Sequence, residues 1–432
     1  MINERSSRTI IEATPVDNPR RRVVAVQGGV QLASALAAMR RADRTPGARP
    51  SENHLIIHDL SAPEDQALDF AACLMEMGRQ AEDWASWHYI PKAEMVQLNE
   101  AFKLEGKAAT TALLRSKLGI EHCDQLLLGQ NLKLLNHALH QCFPKAEPAC
   151  YGDGIGLNFS PHYFKPVEPQ IRKRISVGRK IERWVRKHWK ALRGIPPKPV
   201  AEESTLARFA IPFQKHYLLL ANHFDQQIEQ FEQLEWHDFR QLFTIFGQDI
   251  EQRAPITCRN LKAALTDTTS IVVLLTSNFS ETQRMTRGAE VECYLDMLNR
   301  YPGKQTAALV IKPHPRDSLE KIRAIQDQAQ KIFLKVVTLS DPWTFFVPFE
   351  SIFERFFLSD PRIASRTTVA CSSSACVSLE LLYGQRCDVG FGREAIRRFF
   401  DPKWQALRER HEADLSRLVQ IIRQQSPARL AA

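Results

Sequence analysis

Two parts of the chain alternate short apolar runs with longer segments in which apolar residues recur every three or four positions. In the first part the apolar runs end near residues 27, 58, 128 and 151, and in the second part near residues 276, 312, 338, 371 and 390. Strands that alternate with amphipathic helices predict a parallel, doubly wound sheet. The predicted strands are residues 23–27, 54–58, 124–128, 149–151, 270–276, 307–312, 333–338, 367–371 and 387–390. The predicted helices include 31–41, 64–79, 131–142, 318–330 and 376–383, followed by a helix or helix pair at 394–424.

The alternation breaks between residues 161 and 261. This stretch has a basic segment, a Pro-rich break at residues 195–199 and then mostly helical sequence such as residues 224–234. Two similar α/β parts joined in this way predict two Rossmann-like domains that face each other across a cleft, or alternatively two domains that lie side by side. The predicted regions are a tail (1–20), a first Rossmann-like domain (21–165), a basic and helical connecting region (166–265) and a second Rossmann-like domain with C-terminal helices (266–432).

Composition indicates a globular, non-secreted protein. A chain of 432 residues with 44% hydrophobic residues has enough apolar side chains for two cores. No run approaches the roughly 20 apolar residues that cross a bilayer, and residues 1–22 lack a signal-peptide core. The nine cysteines show no Cys-x-x-Cys pair and no zinc-ligand spacing. We therefore expect a cytoplasmic protein with reduced, buried thiols.

The formal charge of +9 is concentrated in one segment. Residues 172–193 contain ten Lys or Arg residues and one acid, Glu182, with apolar residues every three or four positions. This pattern is typical of a helix that lies on an anionic membrane surface, which for residues 171–193 would be the inner membrane. The alternative is a solvated helix that packs Trp184 and Trp189 on its own domain. No nucleic-acid-binding motif accompanies the charge, so we expect no nucleic-acid partner.

The most distinctive turn of the chain places His314 between Pro313 and Pro315. It follows the apolar strand 307–312 and precedes the helix 318–330, which is where an open α/β sheet binds ligands. Each proline restricts its own backbone and that of the preceding residue, so the turn is rigid. His314 is therefore a candidate catalytic residue, although a histidine in this setting can also serve only its own loop.

Two further turns occupy similar places. Ser372, Ser373 and Ser374 open the helix 376–383, where hydroxyls and free N–H groups bind phosphate, although one serine is enough to cap a helix. Asp153 lies between two glycines at the end of strand 149–151, where another molecule can approach its carboxylate, although Asp-Gly is also common in turns. Inverting sugar transfer from a nucleotide donor needs a base for the acceptor hydroxyl and groups that stabilise the departing phosphate. Asp153, His314 and the serines suit those roles.

These motifs resemble those of bacterial sialyltransferases and polysialyltransferases that have the GT-B fold and use CMP-sialic acid. The family shows an acidic-Gly motif, a His-Pro motif and a Ser-Ser motif in that order. Here they are Gly152-Asp153-Gly154, His314-Pro315 and Ser373-Ser374, with weaker echoes at Gln31-Leu32, residues 273–281 and residues 347–350.

The resemblance implies roles for individual residues. Asp153 would deprotonate the acceptor hydroxyl, and His314 would donate to or protonate the leaving phosphate. No metal and no cofactor are implied besides the CMP-sugar donor, and the acceptor would be a glycan or glycolipid of a bacterial capsule or lipopolysaccharide. The implied CMP-binding residues are Lys312, Pro313, Pro315, Glu350, Ser372, Ser373 and Ser374.

One position departs from the family pattern. Gly152 is found where these enzymes usually have the first acidic residue of a pair. This departure leaves open a non-catalytic nucleotide-sugar-binding protein. A transferase of Kdo from CMP-Kdo on the same fold is also open, because related enzymes that transfer Kdo share a His-Pro and serine arrangement.

Overall fold

The computed structural model of the chain describes residues 19–58, 66–129, 134–160, 163–164 and 211–429. The basic segment lies outside these residues, so the membrane contact of residues 171–193 stays a prediction. Within the described ranges, no helix combines the length and the apolar character needed to cross a membrane.

The first sheet has seven strands, which are Arg20–Val26 (β1), Ser51–His58 (β2), Ser86–Ile90 (β3), Gln125–Leu128 (β4), Glu147–Cys150 (β5), Lys215–Leu218 (β6) and Glu232–Gln233 (β7). All are parallel, in the spatial order β3-β2-β1-β4-β5-β6-β7. The four strands predicted in this part of the chain are confirmed as β1, β2, β4 and β5. Fully buried strands of a parallel sheet are continuous apolar runs, whereas β3 and β7 are edge strands with polar residues.

The second sheet has five strands, which are Ser270–Leu275 (β8), Ala307–Lys312 (β9), Lys335–Thr338 (β10), Thr367–Cys371 (β11) and Cys387–Val389 (β12). They are parallel and lie in the order β10-β9-β8-β11-β12, which confirms all five predicted strands. The carboxyl ends of β9 and β11 lead into the His314 turn and the serine turn.

Helices cover both sheets. Predicted helix 394–424 is a pair, because Pro402 starts a new helix after a break at residues 400–401. The nine cysteines are buried and free, as expected. The helices are Gly29–Asp43 (α1), Ala67–Ala81 (α2), Lys92–Glu105 (α3), Lys107–Leu118 (α4), Leu134–Cys142 (α5), Trp236–Gly247 (α6), Ile250–Arg253 (α7), Pro255–Thr266 (α8), Arg287–Asn299 (α9), Leu319–Ala329 (α10), Pro342–Phe346 (α11), Phe349–Ile352 (α12), Pro361–Ser365 (α13), Ala375–Tyr383 (α14), Arg393–Phe399 (α15) and Pro402–Arg429 (α16).

The prediction of a helix over residues 224–234 is wrong. This stretch is irregular and contains β7. Asn222 adopts a positive φ of 62°, and its side chain donates to Ile228 O at 3.0 Å and accepts from Ile228 N at 2.6 Å. Asparagine tolerates this backbone conformation, and its side chain closes the loop in place of a helical turn. Because β6 and β7 join the first sheet, that sheet continues beyond residue 165.

Helices make several of the contacts between the two Rossmann-like domains. The Phe70 ring of α2 packs edge to face against Phe346 of α11, with the ring centroids 5.5 Å apart. Helix α16 extends from the second domain back to the first, where Asp414 accepts a hydrogen bond from the Tyr163 hydroxyl at 2.8 Å. The α/β class with two Rossmann-like domains is thus confirmed, and this architecture is the GT-B arrangement.

Candidate active site

The His314 turn and the serine turn are joined through the end of β8, which lies between β9 and β11. The backbone N–H of His314 donates to Thr276 Oγ1 at 2.9 Å. The next residue, Ser277, has its Oγ 3.1 Å from Ser372 Oγ. Two successive residues at the carboxyl end of the central strand therefore hold both turns in one crevice.

The His314 ring has one fixed hydrogen bond. Its Nδ1 accepts from the backbone N–H of Arg316 at 3.1 Å, so in the neutral ring the proton is on Nε2. Burial, and then the positive charges of Arg316, Lys321 and Lys312, lower the pKa of His314 well below 6.5. At neutral pH, His314 is therefore an uncharged ring with an Nε2–H donor.

A buried ion network lies behind this turn. The Lys321 ammonium has no exposed surface and donates to Asp317 Oδ1 at 2.7 Å, Glu281 Oε2 at 2.7 Å and Glu290 Oε1 at 3.1 Å. The other oxygen of Asp317 accepts from the backbone N–H of His314 at 2.9 Å. Burial raises the pKa of Asp317 to about 7 against the opposing effect of Lys321. The network holds the His314 turn in place. In the sequence, only the i,i+4 spacing of Asp317 and Lys321 indicated that such a network exists.

The serines of the second turn have different partners. Ser372 is buried, and its carbonyl accepts from Arg408 Nη2 at 2.7 Å. Ser373 Oγ accepts from Ala375 N at 3.4 Å, which is a capping contact at the start of α14. Ser374 makes no such contact, and its Oγ lies 3.4 Å from the position that a Cβ on Gly154 would occupy. Ser374 therefore faces the acidic-Gly loop of the first domain.

Asp153 lies in that loop with one carboxylate oxygen held. Its Oδ1 accepts from Gly154 N at 2.9 Å and from Gln31 Nε2 at 3.1 Å. The Gln31 amide is oriented by Gln27, whose N–H donates to Gln31 Oε1 at 3.0 Å. Asp153 Oδ2 has no hydrogen bond to any residue in the described part of the chain. Burial lowers the pKa of Arg316, and the carboxylate of Asp153 opposes this shift. Arg316 therefore lies near the candidate base, although no role for it was predicted from the sequence.

The loop geometry accounts for Gly152. Its φ is +80°, and a Cβ at this position would lie 2.6 Å from Leu157 O and 2.9 Å from the Gly156 carbonyl carbon. Both neighbours are backbone atoms, so a side chain would force the loop to move. In this chain, the conformation that presents Asp153 excludes an acidic residue at position 152.

Gly152→Asp is therefore expected to destabilise the protein by about 2–4 kcal/mol, because it adds positive-φ strain and a backbone clash. Activity should not rise with the second carboxylate. Denaturant unfolding measures the first effect, with Gly288→Asp as the control, since a Cβ there meets nothing within 4 Å. A Gly152→Asp protein that is as stable as the wild type, or more active, would contradict this explanation.

Lys312 and Glu350 lie behind the two turns. Lys312 is 5% exposed, and its ammonium donates to two backbone carbonyls, one of which is Pro313 O at 3.1 Å. Burial lowers the pKa of Lys312 to about 7. Glu350 is 2% exposed and accepts from Ser378 Oγ on α14, and burial raises its pKa. Pro313 is buried beside them, and Pro315 is half-buried on the turn. The predicted contacts of these four residues with a nucleotide stay predictions.

A family model described as alpha-2,8-polysialyltransferase (POLYST) matches residues 127–355, more than half of the chain. This span includes Asp153, His314 and Glu350, and the serine turn follows it. No curated protein matches the chain.

Several solved structures are similar over most of their length. A putative UDP-N-acetylglucosamine 2-epimerase from Listeria monocytogenes is 10% identical, with a TM-score of 0.39, over 86% of this chain and 78% of its own. The E. coli ADP-heptose lipopolysaccharide heptosyltransferase II is 10% identical, with a TM-score of 0.31, over 93% and 98%. A glycosyl transferase of family 9 from Veillonella parvula is 12% identical, with a TM-score of 0.30, over 86% and 80%. These similarities are too weak to indicate a substrate.

Proposed function

Because this chain belongs to the alpha-2,8-polysialyltransferase family and is a glycosyltransferase, we propose that it transfers sialic acid from CMP-sialic acid. The acceptor is a glycan of a bacterial surface polysaccharide or glycolipid that ends in sialic acid. The reaction is a direct displacement with inversion, in which the acceptor oxygen forms a bond to the anomeric carbon as the bond to the CMP phosphate breaks.

Asp153 acts as the general base. Gln31 and Gly154 hold its Oδ1, while Oδ2 is free of hydrogen bonds within the described residues and takes the proton of the acceptor hydroxyl. A base positioned for this transfer contributes roughly 10²- to 10⁴-fold to the rate.

Groups of the second domain stabilise the leaving phosphate. The Nε2–H of neutral His314 donates to a phosphate oxygen as negative charge develops there. Ser374 Oγ and the N-terminus of α14 provide further favourable interactions with the anion. No metal ion is needed in this proposal, because the protein's own donors face the phosphate.

The observation that carries the proposal is the approach of Gly154 to Ser374 Oγ. The two loops belong to different domains and hold the proposed base and the proposed phosphate site. The proximity of the two loops supports one reaction centre, with the acceptor on one side and the donor on the other.

The test is CMP release by the purified chain from CMP-sialic acid in the presence of an oligosialic acid, with product length read by mass spectrometry. We expect CMP release coupled to chain extension, at a rate that EDTA does not change. Loss of activity in EDTA that Mg²⁺ restores would overturn the metal-independent mechanism. Turnover of CMP-Kdo alone would assign the protein to Kdo transfer, and turnover of neither donor would favour the binding protein.

A further inference from the structure

Arg284 is a cation near Arg408 whose buried Nε has no hydrogen-bond acceptor among the residues that the structure describes. Its guanidinium lies over the Trp404 ring, 5.1 Å from the centroid. Its Nε is buried and has no hydrogen-bond partner among the described residues, and the same residues offer it no salt bridge. A buried donor without an acceptor is costly and rare in native proteins, so this N–H is a strong candidate for contact with a ligand.

The surroundings of Arg284 are rich in donors. Arg284, Arg408 and His411 line the same narrow cavity, whose other walls are apolar or aromatic and include Phe164 of the first domain. Arg408 Nη1 is 3.3 Å from His411 Nδ1, and since arginine can only donate, the neutral histidine carries its proton on Nε2. Arg408 Nη2 also donates to Ser372 O, which connects the cavity to the serine turn.

The size of the cavity limits what it accepts. Its volume of about 10 Å³ is close to that of one water-sized probe, so a single oxygen atom of an anionic group fits where a sugar ring does not. A carboxylate can insert one oxygen and leave the other outside. A guanidinium N–H forms a charge-assisted hydrogen bond to a carboxylate oxygen, which is stronger than a hydrogen bond between neutral groups.

The charges in this region also favour an anion. Burial, followed by the charges of Arg408 and Arg316, lowers the pKa of Arg284 to about 10, and no carboxylate opposes this shift. The carboxylate of Asp153 acts electrostatically on Arg316 and opposes the lowering of its pKa by burial. Arg408 is already paired with Glu412 at 2.8 Å. An anion at Arg284 would therefore mainly relieve the repulsion between Arg284 and Arg316, and Arg316 is near the proposed base.

We propose that the cavity at Arg284 binds the carboxylate of a sialic acid residue. This inference rests on the proposed function, in which donor and acceptor both carry that group. In the donor the carboxylate is attached to the same carbon as the phosphate, which agrees with a position next to the serine turn. In the acceptor it belongs to the terminal sugar.

The experiment compares Arg284→Met and Arg284→Lys with the wild-type full chain. Methionine keeps an apolar stem against Trp404 without the charge, and lysine keeps the charge without the Nε–H. Two KM values are measured, one for CMP-sialic acid in donor hydrolysis and one for oligosialic acid in transfer. The Kd for CMP, which has no carboxylate, is measured alongside them. Arg287→Met is the matched control, because Arg287 is exposed and pairs with Glu320.

Arg284→Met is expected to raise one of the two KM values about tenfold or more, with lysine recovering only part of the loss, while the CMP Kd stays unchanged. A raised donor KM assigns the cavity to the donor, and a raised acceptor KM assigns it to the acceptor. Both KM values within twofold of wild type, or equal weakening of CMP and CMP-sialic acid binding, would overturn the inference while the proposed function stands. A wild-type protein that turns over no CMP-sialic acid contradicts both.

Discussion

Asp153→Asn is expected to lower kcat for sialic acid transfer by about 10²- to 10⁴-fold, because Oδ2 becomes an amide nitrogen that cannot accept the proton. The substitution is nearly isosteric. The asparagine Oδ1 can still accept from Gln31 and Gly154, so the loop that presents residue 153 should keep its conformation. The measurement is the initial rate of CMP release and of product extension with saturating donor and acceptor.

The control for this variant is Asp69→Asn, an exposed aspartate of the same domain, which should retain wild-type kcat. The Kd for CMP should be unchanged in Asp153→Asn, since the base belongs to the acceptor side of the cleft. An Asp153→Asn enzyme that keeps more than a tenth of wild-type kcat would show that another group removes the proton.

His314→Ala is expected to lower kcat by about 10²- to 10³-fold, the usual effect of removing one donor to a developing negative charge. His314→Gln should keep more activity than alanine, because the glutamine amide can place an N–H near the position of Nε2. The comparison distinguishes donation by a neutral ring from transfer of a proton by a charged one. The kcat of both variants is measured with CMP-sialic acid at pH 7.

The pH dependence provides an independent check on His314. Its pKa lies well below 6.5, so the ring is already neutral at pH 6.5 and loses no further proton as the pH rises to 8. The His314 donor should therefore cause no decrease of wild-type kcat across this interval. A decrease on raising the pH that disappears in His314→Gln would mean that the imidazolium is the active form.

The apolar pattern predicted the strands that carry the site because these strands are buried on both faces. Ala307–Lys312 and Thr367–Cys371 are confirmed with their predicted bounds. Ser86–Ile90 and Lys215–Leu218 gave no such signal, since short strands at or near a sheet edge keep polar residues. The spacing of apolar residues in 224–234 looked helical, yet Phe224 and Leu234 are buried by long-range packing rather than on one face of a helix.

The residues of the candidate site also fall into two groups, those that the sequence indicated and those that only the structure identified. Asp153, His314 and Ser374 were recognisable because they follow strands and carry distinctive neighbours. Arg284 lies outside the motifs, and Thr276 was recognised only as part of the segment 273–281, so the roles of both residues depend on what surrounds them. The side chains around Arg284 include those of Trp404 and Arg408, which lie about 120 residues further along the chain.

The sequence by itself determined the α/β class, the two Rossmann-like domains and the three turns that carry the proposed chemistry. These features follow from local periodicity and from residue types whose backbone preferences act over a few positions. Only the tertiary structure decided that Gly152 is required by the loop, that Nε2 of His314 carries the proton, and that Arg284 Nε lacks an acceptor among the described residues. Those properties depend on distances, burial and charges contributed by distant segments, which only folding brings together.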